Sequence, residues 1–312
     1  MLLILKKIVY VLVIIGINTY MCSYLAAKLS ARMELRRGYM LTIIGGVGFP
    51  AIRLFSYLAR DSSAGIWSFV TFLFSMIIWT VAPFSTELIL VDINSSLMIA
   101  LLFLIIIISL NSTVSDNTRY GLVWGQATKR IISNLSLIIP FLISTASLIL
   151  ANRTFSLKEI VDIQSELWNA VYQPMGLMIT VFSVVLIFKV FGMKREVRQG
   201  LSSINYVEGT GFAGVIFRFS RYSVVLFMIY LIAILYLGGY KNFYFIRGDV
   251  MLGIKFYIIF LFIVFAEKAL GSNLSHLNTI MRVNGKFLIP MSILNFVITI
   301  GFFIYRNIYG LI

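Results

Sequence analysis

Eight long apolar runs, separated by charged gaps, dominate this chain of 312 residues. The runs lie near residues 8–26, 66–86, 95–112, 131–151, 171–191, 222–239, 251–267 and 287–305. A helix of about 20 apolar residues crosses a hydrocarbon layer of about 30 Å, because each residue adds about 1.5 Å. With 60% hydrophobic and 12% charged residues, the chain has more apolar surface than a soluble domain of this length can cover. The sequence therefore predicts an all-α, polytopic integral membrane protein with about eight transmembrane helices.

The charges are distributed unevenly over the gaps. The gaps after the first, third, fifth and seventh runs, counted with their edges, hold 18 of the 26 Lys and Arg residues and six of the 12 acids. Because basic segments stay on the cytoplasmic side of a membrane, these gaps are expected to face inward. Both termini would then lie on the periplasmic or intermembrane side of a bacterial or archaeal plasma membrane or a mitochondrial inner membrane.

The net charge of +14 has two interpretations. The basic gaps can serve orientation and attraction to anionic lipid, or they can form a docking surface for an acidic or cofactor-bearing partner. No nucleic-acid-binding motif is present, so nucleic acid is not an expected partner.

Cysteine and histidine are almost absent. A lone cysteine, Cys22, excludes an internal disulfide and a cysteine-based iron–sulfur or zinc site, and His276 alone cannot form a metal cluster. We therefore expect this chain to bind no metal and no cofactor by itself. The first run follows Lys6 and Lys7 as a signal peptide would, but its length favours a retained first span.

The chain has no Pro/Gly/Ser-rich linker and no obvious repeat, which indicates one membrane domain over residues 1–312. In the long gap 27–65, Pro50 opens a segment whose Arg53, Tyr57 and Arg60 would share one edge of a helix. This pattern predicts an interfacial amphipathic helix. A separate capping-box pattern at residues 156–159 predicts the start of a short helix continuing to residue 164.

The segment after the first run carries a distinctive basic sequence. Lys28 is followed by Arg-Met-Glu-Leu-Arg-Arg-Gly at residues 32–38, and then by Pro50 and the amphipathic helix ending at Asp61. This order is similar, without a gap, to the Glu-Arg-Lys, Gly-Arg-Met-Gln-Leu-Arg-Pro-Gly-Pro and Pro-initiated helix of the H-type membrane subunits of NADH-quinone oxidoreductase. That family is called NADH dehydrogenase subunit 1 in mitochondria and has counterparts in membrane-bound hydrogenases.

Further stretches resemble the same family in the same order, at residues 160–164, 173–176, 207–211, 237–240 and 278–282. The resemblance implies a membrane subunit of a complex I-like NADH:quinone oxidoreductase. Such a subunit forms part of the quinone-binding tunnel and anchors a peripheral arm whose subunits hold flavin and iron–sulfur clusters. Quinone would be a substrate of the whole complex, and this chain would have no redox activity alone.

The chain departs from the family at most of the acids that lead protons away from the quinone site. Ala26 and Arg53 stand where the family has Glu and Asp, and Asn134 or Ser136 stands where the fourth span has a Tyr-Glu pair. The acidic loop after the fifth span is replaced by the basic segment 188–198. Because carboxylates are the groups that bind and release protons in such a path, the resemblance supports the fold and the docking function more than proton conduction.

Two sets of candidate site residues follow. The quinone-tunnel or arm-docking candidates are the basic residues Lys28, Arg32, Arg36, Arg37, Arg53, Arg282 and Lys286. The proton-path candidates are the acids Glu196, Glu208 and Glu267. The basic residues would bind acidic side chains through charge-assisted hydrogen bonds, or equally phospholipid headgroups.

The acids also have ordinary interpretations. Glu208 would otherwise pair with Arg218 or Arg221, and Glu267 would extend to the interface beside Lys268. Two alternatives for the whole chain stay open: a membrane anchor in a hydrogenase or formate hydrogenlyase-type complex, and a catalytically silent assembly scaffold or transporter. No catalytic residue is expected in any of them.

Overall fold

The computed structural model describes residues 2–35, 66–85, 88–114, 124–164, 167–191, 211–242, 247–270 and 277–308. This part of the chain is helical, with no strand, which confirms the all-α prediction for it. The helices are α1 (Leu2–Met33), α2 (Ile66–Ile77, extended by a 3-10 turn at Ile78–Val81), α3 (Ser96–Val114), α4 (Trp124–Asn152), α5 (Leu157–Ile163), α6 (Asn169–Tyr172), α7 (Pro174–Val190), α8 (Gly211–Tyr236), α9 (Gly248–Ala269), α10 (Leu277–Val283) and α11 (Ile289–Ile308). A π-helical segment, Asn284–Leu288, joins the last two helices.

Five helical segments are long and apolar enough to cross a membrane: Lys6–Met33, Ile131–Asn152, Gly211–Tyr236, Gly248–Ala269 and Asn278–Tyr305. Three shorter apolar helices, Ile66–Val81, Ser96–Ser112 and Pro174–Val190, coincide with the other predicted runs. The protein is thus an integral membrane protein, while its crossing the bilayer eight times stays a prediction. The predicted amphipathic helix after Pro50 lies outside the described residues.

Helix α8 is the centre of the bundle. Its residues 223–236 are all buried, so the helix has no lipid-facing or water-facing side over that length. A helix that is apolar all round can be surrounded by lipid or by protein, and protein surrounds this one. Helices α1, α2, α7 and α9 pack around it, and α4 joins α3, α7 and α11 on the other side of α7.

Several helix ends differ from the apolar runs that predicted them. Helix α1 continues to Met33 and α8 begins at Gly211, because the polar residues next to each run include no proline to interrupt the helix. The fifth run was predicted to begin at residue 171, but α7 begins at Pro174. Proline suits the first turn of a helix, where its missing N–H would have had no partner.

Side chains at the short helices α5 and α6 donate hydrogen bonds to the C-terminal end of α8. The last carbonyls of a helix have no intrahelical donor. Here Gln164 Nε2 donates to the Ile234 carbonyl at 2.9 Å, and Asn169 Nδ2 donates to the Leu235 carbonyl at 2.8 Å. The predicted cap that starts α5 is also present, since Ser156 Oγ accepts from the Glu159 N–H.

The turn between α8 and α9 brings two backbone segments into close approach at Gly248. A Cβ atom at this position would lie 1.7 Å from the Tyr240 carbonyl oxygen. The Gly248 N–H donates to Asn242 Oδ1 at 2.6 Å, which fixes the start of α9 against this turn. Only glycine fits here without movement of the backbone.

We predict that Gly248→Ala lowers the unfolding free energy by about 1–3 kcal/mol, as overpacking of a well-packed contact does. Gly301→Ala is the matched control, because a Cβ there has nothing within 4 Å. Thermal unfolding of the purified protein in detergent measures both. Equal unfolding temperatures for the two variants would contradict the close approach.

Candidate functional site

Four of the predicted basic residues lie at the end of the bundle where α1, α7 and α9 finish and α10 follows, and we call this the basic end. They are Lys28, Arg32, Arg282 and Lys286. An ion pair joins two of these helices, because Lys268 Nζ lies 2.8 Å from Glu34 Oε1. Lys189, at the last turn of α7, interacts electrostatically with Glu267 and Lys268. The ends of α1, α7 and α9 therefore form one charged surface.

Two of the docking candidates lie on α1 at this end. Lys28 Nζ donates to Tyr24 Oη at 2.7 Å, so its charge is held near the helix surface. Arg32 lies in the last turn of α1 and is exposed, where a cation is favoured by the helix dipole. Arg32 thus presents its charge at the surface of the basic end.

Two further docking candidates lie next to the π-helical segment. Arg282 is exposed in the last turn of α10, and Lys286 is exposed within the π-helical segment itself. Among the proton-path candidates, Glu267 is half-buried in the last turn of α9. The remaining candidates lie outside the described residues: Arg36, Arg37, Arg53, Glu196 and Glu208.

A neutral polar seam runs through the bundle between α4 and its neighbours. At its basic side, Asn134 Nδ2 donates to Ser112 Oγ at 2.7 Å and Asn284 Nδ2 donates to the Ser136 carbonyl at 2.8 Å. Asn134 and Ser136, one or the other of which was predicted to stand in place of the family's Tyr-Glu pair, are therefore both part of this seam. Their hydrogen bonds join α3, α4 and the π-helical segment.

The seam continues to the opposite end, which is the end where α4 finishes and α7 begins. Asn295 Nδ2 donates to Ser147 Oγ at 2.9 Å, and Gln173 Nε2 donates to Thr299 Oγ1 at 3.3 Å. These contacts join α4 and α11 to the residue that precedes α7. Buried amides and hydroxyls of this kind stabilise helix packing where no water can enter.

None of the acids in the described residues is buried. Glu34, Asp92, Glu159, Asp162 and Asp249 are exposed. With Glu267 only half-buried, the described interior offers no carboxylate that could take up a proton within the membrane.

The one buried charge in the described part of the chain was missed by the sequence reasoning. Lys255 is 5% exposed although it lies in an apolar run. Its Nζ donates to the Gly239 carbonyl at 3.1 Å and lies 5.2 Å from the centre of the Trp168 ring. An ionisable residue inside a predicted span is itself a signal for a special environment, and that signal would have found Lys255.

Tyr240 lies beside this lysine, in the turn between α8 and α9. It is 5% exposed. Burial, and then the charges of Asp162 and Asp92, raise the pKa of Tyr240 to about 12 from its ordinary 10.0. The neutral phenol is therefore the form that fits this turn.

Comparison with known proteins decides the family. The model of the family described as NADH dehydrogenase matches residues 6–300, which is most of the chain. The chain belongs to this family. The resemblance to the H-type membrane subunits of NADH-quinone oxidoreductase is confirmed.

Similar proteins are named as that subunit. The chain is 26% identical over 239 residues to the H-type subunit of the NADH-quinone oxidoreductase of Brevibacillus brevis, covering 73% of this chain and 68% of that protein. It is 28% identical over 195 residues to the protein of the same name from Anoxybacillus flavithermus, and 29% identical over 198 residues to that of Bacillus cereus. These two matches cover 59% of this chain and 56% of each relative, so the chain spans little more than half of their length. This family member is a divergent one.

Exchanging the two charges of the ion pair at the basic end tests whether Glu34 and Lys268 are in contact. Glu34→Lys and Lys268→Glu should each lower the unfolding temperature, because each variant places like charges together. The effect of each is about 1 kcal/mol or less, since the two side chains are 32% and 19% exposed and solvent screens the pair. The double variant should recover most of the loss in thermal unfolding. A double variant as unstable as the two single variants combined would contradict the contact.

The raised pKa of Tyr240 predicts that the stability of the folded protein depends on pH in the alkaline range. Because the pKa of Tyr240 is raised in the folded protein, its contribution to stability is complete below pH 10.0 and is lost as the pH rises toward about 12. Tyr240→Phe cannot ionise and should lose less stability than the wild type over this alkaline range. Unfolding in denaturant at a series of pH values measures the difference, and parallel curves for the two proteins would exclude the effect.

Proposed function

We propose that this protein is the membrane subunit of a complex I-like NADH:quinone oxidoreductase and that its basic end seats the peripheral arm. The observation that carries the proposal is the family match over nearly the whole chain. The relatives' names favour the quinone-reducing complex over the hydrogenase anchor. Respiratory electron transfer would be the activity of the whole complex.

The charge and geometry of the basic end support its use as a docking surface. Arg32, Arg282 and Lys286 are exposed there, while Lys28 is held against Tyr24. Guanidinium groups form bidentate, charge-assisted hydrogen bonds with carboxylates, which suits an acidic partner surface. Flavin and iron–sulfur clusters belong to those partners in this proposal, and the quinone tunnel would be bounded by this end and the arm.

The described interior has amides and hydroxyls along α4, and Ala26, which the resemblance aligns with a family acid, is 5% exposed. A neutral side chain at ordinary pH cannot carry a proton by ionising. Any proton path that remains in this subunit would then depend on Glu196, Glu208 or Glu267, and the chain would act mainly as a scaffold if those acids prove dispensable.

We predict that Arg32→Glu weakens attachment of the iron–sulfur arm by about tenfold, equivalent to about 1.4 kcal/mol. The complex, solubilised from its own membranes, would lose the arm at a lower salt concentration than the wild type. Quantitative mass spectrometry of the arm subunits retained at each salt concentration measures this. The reversal of charge places an acid against an acidic partner, which costs affinity and increases the dissociation rate.

The matched control is Lys6→Glu, at the other end of α1. Lys6 is exposed and lies far from the basic end, so its reversal should leave arm retention unchanged. It also removes a positive charge from the side predicted to be outside, so it does not oppose the predicted orientation. Equal salt dependence for both variants would exclude the basic end as the docking surface.

A further inference from the structure

A cavity of about 470 Å³ lies between α1, the end of α2, α8 and α9. Its size is in the range of pockets that hold small molecules, about 300–1,000 Å³. Apolar walls are provided by Ile14, Ile15, Leu226, Leu252 and Phe256.

The cavity is remote from the basic end. Lys7 on α1 and Asp249 on α9 line it, and both lie near the starts of their helices. Asn18 is the lining residue of α1 nearest to the basic end, and Lys28 lies ten residues, about 15 Å, further along the same helix. The cavity is therefore separate from the docking surface of the proposed function, and it requires only that the chain lies in a membrane.

The helices that form the cavity also expose apolar residues beside it. On α1, Val13 is 51% exposed and Ile17 is 56% exposed. On α9, Ile254 is 41% exposed and Ile258 is 62% exposed. A hydrocarbon chain from the bilayer could enter between such residues without crossing a polar barrier.

Three of the polar side chains that line the cavity are hydrogen-bonded within the protein. Asn18 Oδ1 accepts from Tyr257 Oη at 2.7 Å, and Trp79 Nε1 donates to Ser223 Oγ at 2.7 Å. The Tyr230 hydroxyl donates to a backbone carbonyl. The walls therefore offer mainly dispersion contacts. Such contacts suit an alkyl chain better than a quinone ring, whose carbonyls need hydrogen-bond donors.

Charges of both signs lie at the end of the cavity near the membrane surface. Lys7 is a cation, and Asp249 is an anion that pairs with Arg247 at 3.6 Å. A headgroup with a phosphate and an ammonium group matches this pair of signs. We propose that the cavity holds one acyl chain of a phosphatidylethanolamine-like phospholipid, with its phosphate at Lys7 and its ammonium group at Asp249.

Gly253 supplies a variant that fills the cavity. It lines the cavity, and a Cβ at this position has nothing within 4 Å, so Gly253→Leu places a side chain there without a clash at its Cβ. Gly301→Leu is the matched control, because its Cβ is equally unobstructed and it lies on α11 away from the cavity. Leucine favours a helix more than glycine does, so neither variant should disturb its helix.

The experiment uses the complete complex in phosphatidylethanolamine vesicles that contain a phosphatidylethanolamine with a diazirine at the end of one acyl chain. After illumination, mass spectrometry locates the labelled residues. We expect labelling of residues 14–18 and 252–256, and Gly253→Leu should reduce it about tenfold relative to labelling of the exposed Leu102 on α3. Gly301→Leu should leave that ratio unchanged. The label on α3 reports in every sample that the protein lies in the vesicle bilayer.

Three results would overturn the inference. Equal label ratios for Gly253→Leu and Gly301→Leu would show that the cavity holds no acyl chain. Loss of the label when an excess of a short-chain quinone is added would identify a quinone as the occupant. Equal labelling by a diacylglycerol carrying the same diazirine would show that Lys7 and Asp249 do not select the headgroup. Failure of arm docking would leave all three outcomes unaffected.

Discussion

The hydrocarbon core of a membrane contains no water that could form hydrogen bonds with buried polar groups. The arrangement of this bundle follows from that restriction. The carbonyls at the end of α8 accept hydrogen bonds from Gln164 and Asn169. Asn295 and Ser147 pair with each other across α11 and α4. The buried helix α8 could not end where it does without such donors, because its last turn is enclosed by protein.

The same restriction explains where charge is tolerated. Apart from Lys255, the basic residues of α1, α9 and α10 lie toward helix ends, where they reach an interface, and the pair Glu34 and Lys268 joins two of those ends. The buried Lys255 is held by a backbone carbonyl and an aromatic ring. The described interior is thus held together by amides, hydroxyls and apolar contacts, and no carboxylate of the described residues is buried in it.

Much of the fold could be predicted from the sequence because a membrane imposes a simple pattern. Each apolar run coincides with a helix, and the cap at Ser156 begins α5 as its residues indicated. The helix ends were less predictable, because α1 and α8 continue into polar sequence that contains no helix breaker. The count of crossings also depends on three short helices whose lengths lie near the lower limit for a span.

The candidate site was predictable only in part. Basic residues could be placed at one end by the order of the runs, and Lys28, Arg32, Arg282 and Lys286 are found near helix ends there. The seam formed by Asn134, Ser136 and Asn284 was not foreseen, since isolated amides and hydroxyls give no periodic signal until their helices meet. Lys255 was overlooked because a single lysine hardly changes the hydropathy of its run.

The central claim is that the basic end of this membrane subunit seats an iron–sulfur arm. Mild solubilisation of the intact protein from its native membrane, followed by mass spectrometry of everything that remains bound, tests it most directly. The account predicts that iron–sulfur subunits of a quinone-reducing complex accompany the chain in a fixed ratio. Isolation of the intact chain with no iron–sulfur partner would contradict it.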